Sequence, residues 1–220
     1  MSQNSQPAFN TTPTVLVLIA INVGIHLVRL LLPVQWSDLI GFLGAFSPPN
    51  FLAVAMGHGN GLENILLLSP LAYAFMHADF LHLGLNMAFL LAFGTAVERH
   101  LGRGRFIALY VVCALFAAGA SLGLFFVTDQ QTFMVGASGA ISGLFGTILR
   151  ITMNRAWTAI AIFIGINIVM GFTGMPGMNE MRAIAWEAHI GGFLAGFVLL
   201  PLFKGLPLKG PPRRLGQGPS

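Results

Sequence analysis

Two short runs in this 220-residue chain hold the side chains best suited to covalent chemistry. Val135-Gly136-Ala137-Ser138-Gly139 sets a serine hydroxyl among small residues, and Ala188-His189-Ile190-Gly191-Gly192, with Gly196 beyond it, sets an imidazole on a face of glycines. A serine hydroxyl is a poor nucleophile until a base takes its proton, and a neutral imidazole does so near pH 7. Together they would form an acyl-transfer pair, Ser138 attacking and His189 carrying the proton. A third run, His82-Leu83-Gly84-Leu85-Asn86, puts an imidazole and a carboxamide on one helix face, about 40° apart on the wheel. Such a face can donate hydrogen bonds to the oxygen of an attacked carbonyl. The backbone N–H of Ser138, at a helix start where the first amides are unpaired, is a third donor. No carboxylate is well placed to orient His189, because Glu187 lies about 200° around the helix and Asp129 falls in a loop. A dyad is expected rather than a triad.

These groups must be carried by elements that live in lipid. Apolar residues make up 55% of the chain and charged residues 8%, too few charges to cover a globule facing water. Soluble and disordered classes are excluded, and an all-α, polytopic membrane protein is expected. At roughly 20 apolar residues per crossing, six spans fit the length. They are expected at 14–32, 70–97, 106–127, 136–149, 156–172 and 186–203, as one membrane domain over 14–203. Residues 1–13 are polar and read as a disordered cytoplasmic lead-in, and 204–220 as a basic cytoplasmic tail. Between spans one and two, 35–68 is apolar yet broken by Gly41, Gly44, Pro48, Pro49, Gly57, Gly59 and Gly61, which predicts a long, partly embedded loop.

The basic residues set the orientation, because Lys and Arg concentrate in cytoplasmic loops. Arg99, Arg103 and Arg105 follow span two, Arg150 and Arg155 follow span four, and Lys204, Lys209, Arg213 and Arg214 lie in the tail. Both termini are therefore expected in the cytoplasm, with Arg29 the one residue against the pattern. The lone Cys113 excludes an internal disulfide, and the scattered charge of +4 gives no sign of nucleic acid binding.

Span four is only about 14 residues, roughly 21 Å of helix against a hydrocarbon core of about 30 Å, so its outer end starts inside the membrane. Irregular backbone at that depth must be buried in protein or line a water-filled cavity, which puts Ser138 at a cavity. Gly139, Gly143 and Gly146 fall within about 60° on the wheel, and His189, Gly192 and Gly196 share one side of span six. Two faces of small residues let backbones approach closely, which would bring His189 to Ser138.

These motifs resemble the rhomboid family of intramembrane serine proteases. Gly136-Ala137-Ser138-Gly139 corresponds to its GxSG, Ala188-His189 through Gly192 and Gly196 to its AHxxGxxxG, and His82 to Asn86 to its HxxxN, in the right order on spans four, six and two. The long first loop departs from it in lacking the Trp-Arg pair of some members. The resemblance implies a six-transmembrane-helix rhomboid-like bundle, in a bacterial inner or plasma membrane. It implies a Ser138–His189 dyad cutting the transmembrane segment of single-span proteins near the outer face, with a small residue before the cut bond. His82 and Asn86 would stabilise the oxyanion, and Gly136, Gly139, Gly192 and Gly196 would set helix packing and site geometry. The expected partners are single-span membrane proteins and the lipid bilayer, with no cofactor and no metal.

Other readings of the same residues stay open at this stage. Ser138 also suits a small helix-start residue at a packed interface. A catalytically silent rhomboid-like protein that binds membrane segments is the alternative function. A metal site built from His77, Asp79 and His82 is a third, with poor ligand spacing. Ser142 reads as a helix-interior hydroxyl bonded to a carbonyl. His77, by helical count, points away from His82 and shapes the cavity rim, while His26, His58 and His100 read as structural. Glu98 with Arg99 reads as a cytoplasmic anchor or loop ion pair.

Overall fold

The structure is a computed structural model that describes residues 11–153, 156–173 and 185–205. Most of the expected lead-in and tail, together with Arg155, Glu180 and Arg182, lies outside the described residues. Within them the chain is helical, with one isolated antiparallel bridge between Phe46 and Met134. Six long apolar helices carry the bundle: α1 (Pro13–Leu31), α2 (Phe80–Leu101), α3 (Arg103–Thr128), α4 (Ser138–Thr152), α5 (Trp157–Thr173) and α6 (Trp186–Gly205). Of these, α1, α2, α3 and α6 are long and apolar enough to cross a membrane, whereas α4 and α5, with 15 and 17 residues, are shorter.

Local chemistry accounts for the ends of these helices. Pro13 opens α1 at a position where its missing N–H costs nothing, and Leu32, extended before Pro33, closes it. Gly102 takes φ +81, a left-handed turn that separates α2 from α3 in a single residue. Glu98 is buried in the last turns of α2 and accepts the hydroxyls of Thr12 and Thr14. It therefore ties α1 to α2, in place of the expected anchor beside Arg99, which is exposed.

Two expectations about the first half of the chain change. The 35–68 stretch is largely helical, with Val34–Gly44, Pro48–Ala53 and Gly61–Leu68 as separate pieces joined at glycine turns, Gly57 at φ +89 and Gly61 at φ +53. Val34, Trp36, Met56, Leu62 and Leu68 point outward, as suits a segment lying against lipid. Arg29 donates to the carbonyls of Ser37 and His77, each at 3.4 Å, so its position against the charge pattern reflects a tie to this loop. Span two starts at Phe80 and not at 70, because Met76 is extended and Asp79 caps a new helix, accepting from the His82 N–H at 2.8 Å. His77 thus precedes the helix, and a helical count does not apply to it.

At the centre, α4 is buried on most of its surface among α2, α3 and α6. A Cβ added at Gly192 would land on the carbonyl oxygen of Gly139, and one at Gly196 on that of Gly143, so α4 and α6 cross with backbone against backbone. Thr147 Oγ1 sits in the crossing and shares its one hydrogen between the carbonyl of Gly143 in its own helix, at 2.9 Å, and that of Gly196 in α6, at 3.1 Å. The opposite flank is built differently. Phe163 of α5 stacks on Phe193 of α6 with ring centroids 4.5 Å apart and meets Phe145 of α4 at 5.6 Å.

Candidate active site

The approach to Ser138 is braced from two sides before the helix begins. Phe46 and Met134 exchange backbone hydrogen bonds of 3.0 and 2.8 Å, and the Gly136 N–H donates to the carbonyl of Tyr73 at 2.9 Å. Tyr73 is itself buried and bonds the carbonyl of Ala114 on α3 through its hydroxyl, at 2.9 Å. Gly136 sits at φ +108, open to glycine, and a Cβ there would come within 2.6 Å of the His82 ring. The lack of a side chain at 136 lets the chain turn into α4 directly beneath that imidazole. Ser138 is then the first residue of α4, its N–H among the unpaired amides of the helix start.

Ser138 Oγ lies 2.8 Å from His189 Nε2. The two side chains come from helices whose backbones touch at Gly139 and Gly192, so little freedom is left in their separation. Both line a cavity of about 630 Å³, whose wall also includes His82, Asn86, Gly139 and Ser142. Asn86 is buried and donates one amide hydrogen to the carbonyl of His82 at 2.9 Å, which leaves its second amide hydrogen for other use. The residues expected to carry the chemistry thus meet at one place, Ser138 and His189 in contact, His82 and Asn86 on the same cavity and Gly136 under His82, while Gly139, Gly192 and Gly196 lie in the crossing that holds them.

The neighbouring groups divide by what they touch. Glu187 turns away from the cavity and accepts from Ser121 of α3 at 2.9 Å, and Ser121 in turn lies 3.2 Å from the Thr132 hydroxyl. The His77 ring is buried edge-on to His82, with centroids 5.2 Å apart, where it packs behind that side chain. Ser142 lies one turn below Ser138 in the cavity wall.

One polar neighbour was missed. Asn167 of α5 is buried, and its Oδ1 lies 2.7 Å from Nδ1 of His189. A search for a carboxylate partner passes over it, since the third group is an amide from span five. The available signal was a lone carboxamide amid Ile164-Gly165-Ile166 and Ile168-Val169-Met170, because a polar group in such a helix faces the bundle interior or a cavity.

Comparison with known proteins agrees with this architecture. Residues 67–205 match the Rhomboid domain family. RHOMBOID-like protein 5 of Arabidopsis thaliana is 37% identical over 136 residues, covering 56% of this chain and 40% of its own length. Rhomboid protease GluP of Bacillus subtilis (strain 168) is 34% identical over 151 residues, 66% of this chain and 27% of the relative. Rhomboid-like protein 11, chloroplastic, of Arabidopsis thaliana is 32% identical over 192 residues, 78% of this chain and 65% of the relative. This chain therefore spans only a part of each of these relatives.

Proposed function

The chain belongs to the rhomboid family and is a multi-pass membrane protein, and from that premise we propose that it is a serine endopeptidase that cuts the transmembrane segment of single-span proteins. The observation that carries the reading is the 2.8 Å separation of Ser138 Oγ and His189 Nε2 at the wall of the cavity. In the reaction, Ser138 Oγ attacks the scissile carbonyl carbon while His189 Nε2 takes the hydroxyl proton. The tetrahedral oxyanion receives hydrogen bonds from Asn86, His82 and the Ser138 N–H. Collapse breaks the C–N bond, and the imidazolium returns its proton to the leaving amine. Water then attacks the acyl-enzyme with His189 again as base, releasing the carboxylate product and restoring Ser138.

The substrate must supply an exposed carbonyl, and a backbone in α-helix keeps its carbonyls in hydrogen bonds. The preferred segment therefore carries Gly or Pro near the cut bond, and the family resemblance adds a small residue before it. The cavity runs from Ser138 to Phe89 and Phe93 of α2 and Phe163 of α5, which favours arrival between those helices. The excess of Arg and Lys in the loop after α2, at the end of α4 and beyond α6 supports cytoplasmic termini and a site in the outer half of a cell membrane.

The test compares the wild-type chain with Ser138→Ala and His189→Ala in liposomes holding a single-span reporter. Cleavage is expected to vanish in both variants at unchanged melting temperature, and near-normal turnover in either rejects the pair. Orientation is read separately: in intact cells an impermeant thiol reagent should label Gln131→Cys and not Arg103→Cys, against a native Cys113 that is buried.

A further inference from the structure

Asn167 is the only buried residue among the described side chains of α5, and it turns its amide onto the imidazole of His189. Which atom of that amide faces the ring decides the chemistry, and the second hydrogen bond settles it. The carbonyl of Phe163, one turn back on α5, lies 2.8 Å from Nδ2 and can only accept, so the amide nitrogen must face it. The oxygen is left to face the imidazole at 2.7 Å, and an amide oxygen donates nothing. Nδ1 of His189 must then carry the hydrogen. In a neutral imidazole the other nitrogen is unprotonated, so Nε2 turns its lone pair to Ser138 Oγ at 2.8 Å.

We propose that Asn167 is a positioning residue that holds His189 in the tautomer able to accept the Ser138 proton, completing a Ser138–His189–Asn167 relay across α4, α6 and α5. The inference rests on the reading of Ser138 and His189 as nucleophile and base, and adds to it the group that makes the base competent. When the proton arrives and the ring becomes an imidazolium, both ring nitrogens donate, and Oδ1 of Asn167 keeps the Nδ1 hydrogen satisfied in a site lined by apolar side chains. An uncharged acceptor suits this depth, since a carboxylate would itself need a counter-charge there. Glu187, the nearest carboxylate along α6, is engaged with Ser121.

The experiment uses the whole chain in detergent and liposomes, with Asn167→Leu, Asn167→Asp and Ser138→Ala beside the wild type. Three quantities are read: the rate at which an alkyl fluorophosphonate labels Ser138, kcat and KM on a single-span reporter, and the melting temperature. Asn167→Leu is expected to slow labelling and kcat together by about tenfold to a hundredfold, less than the roughly 10²–10⁴ of losing the general base outright because His189 itself remains, with KM within about twofold. Its melting temperature should hold or rise, because an apolar side chain replaces an amide in a lipid-embedded helix. Asn167→Asp keeps an acceptor facing Nδ1 but loses the bond to the Phe163 carbonyl and adds a charge, so it should recover only part of the labelling rate, and labelling no faster than in Asn167→Leu would count against the proposal. In 15N spectra, the His189 ring should carry its hydrogen on Nδ1 in the wild type and lose that preference in Asn167→Leu. Wild-type labelling and kcat in Asn167→Leu would overturn the proposal, as would a loss matched by loss of folded protein. Labelling and cleavage that survive in Ser138→Ala would overturn the functional reading itself, and the relay with it.

Discussion

The α4–α6 crossing and the α5 flank face the same imidazole yet hold it by different physics. At the crossing, Gly139, Gly143, Gly192 and Gly196 bring backbone onto backbone, and no side-chain rotation can widen or narrow the gap. At the flank, α5 leans on α6 and α4 through the rings of Phe163, Phe193 and Phe145, with Ala156 and Leu149 beneath, as a cluster separate from the main core. Most of the remaining surface of α5 is exposed or half-buried, with Trp157, Ile162, Ile166 and Val169 turned outward. In the proposed reaction, rigid backbone contact suits the Ser138–His189 distance, which would have to persist through every turnover. Side-chain contact would suit a wall that yields to the proposed substrate helix. The two regions meet at His189, whose Nε2 faces the rigid side and whose Nδ1 faces the yielding one.

This contrast can be broken or sharpened by substitution. Beyond Ser138 and His189 themselves, the largest effect without loss of fold is expected at Asn86. Asn86→Ala should lower kcat by about 10²–10³, the cost of removing one oxyanion donor, with KM and melting temperature nearly unchanged. A destabilised protein with normal turnover per folded molecule would make Asn86 a packing residue of α2. Next comes the crossing itself. Gly196→Val drives a side chain into the Gly143 carbonyl and should cost about 1–3 kcal/mol or more, with activity falling in step with the folded fraction. A Gly196→Val protein that melts like the wild type would remove the distinction between rigid and yielding sides.

Phe163→Ala probes the flank. Loss of its stacking on Phe193 and its tilted contact with Phe145 is expected to weaken the seating of α5 by about 0.5–1.5 kcal/mol for each ring pair. The prediction is a severalfold drop in both kcat and phosphonate labelling, through loss of the Asn167 contact, while the melting temperature shifts by only a few degrees. A collapse in melting temperature would instead join α5 to the same rigid unit as α4 and α6. The smallest effect belongs to Thr147→Val, which keeps the shape at the crossing and deletes the hydroxyl shared between the Gly143 and Gly196 carbonyls. Interhelical hydrogen bonds in membranes average about 0.6 kcal/mol, so a slight fall in melting temperature with unaltered kcat is expected.

Local chemistry was enough to expose much of this. A chain with 8% charged residues cannot fold for water, and long apolar runs between breakers mark helices wherever they fall. The end of the first helix followed the same logic at Pro33. The small-residue faces of spans four and six were also legible, because a helix converts a spacing of three or four residues into a shared side whatever its surroundings. Hence spacing put His82 and Asn86 on one helix face and set His189 against Ser138, the family resemblance joined the two pairs, and the structure brings all four to one cavity.

What tertiary structure alone decided is the partner of each isolated polar group. Nothing near Asn167 in sequence says that its amide meets His189, nothing near Glu98 says that it takes the hydroxyls of Thr12 and Thr14, and nothing near Arg29 names the carbonyls of Ser37 and His77. The start of α2 was misread for a related reason. The run 70–97 is apolar throughout, and only the docking of Tyr73 on Ala114 and the cap at Asp79 break it into two pieces. Periodicity reports which side of a helix is apolar. It says nothing about the depth, tilt and rotation at which two helices pack, and those three quantities choose which polar atoms come within hydrogen-bond reach.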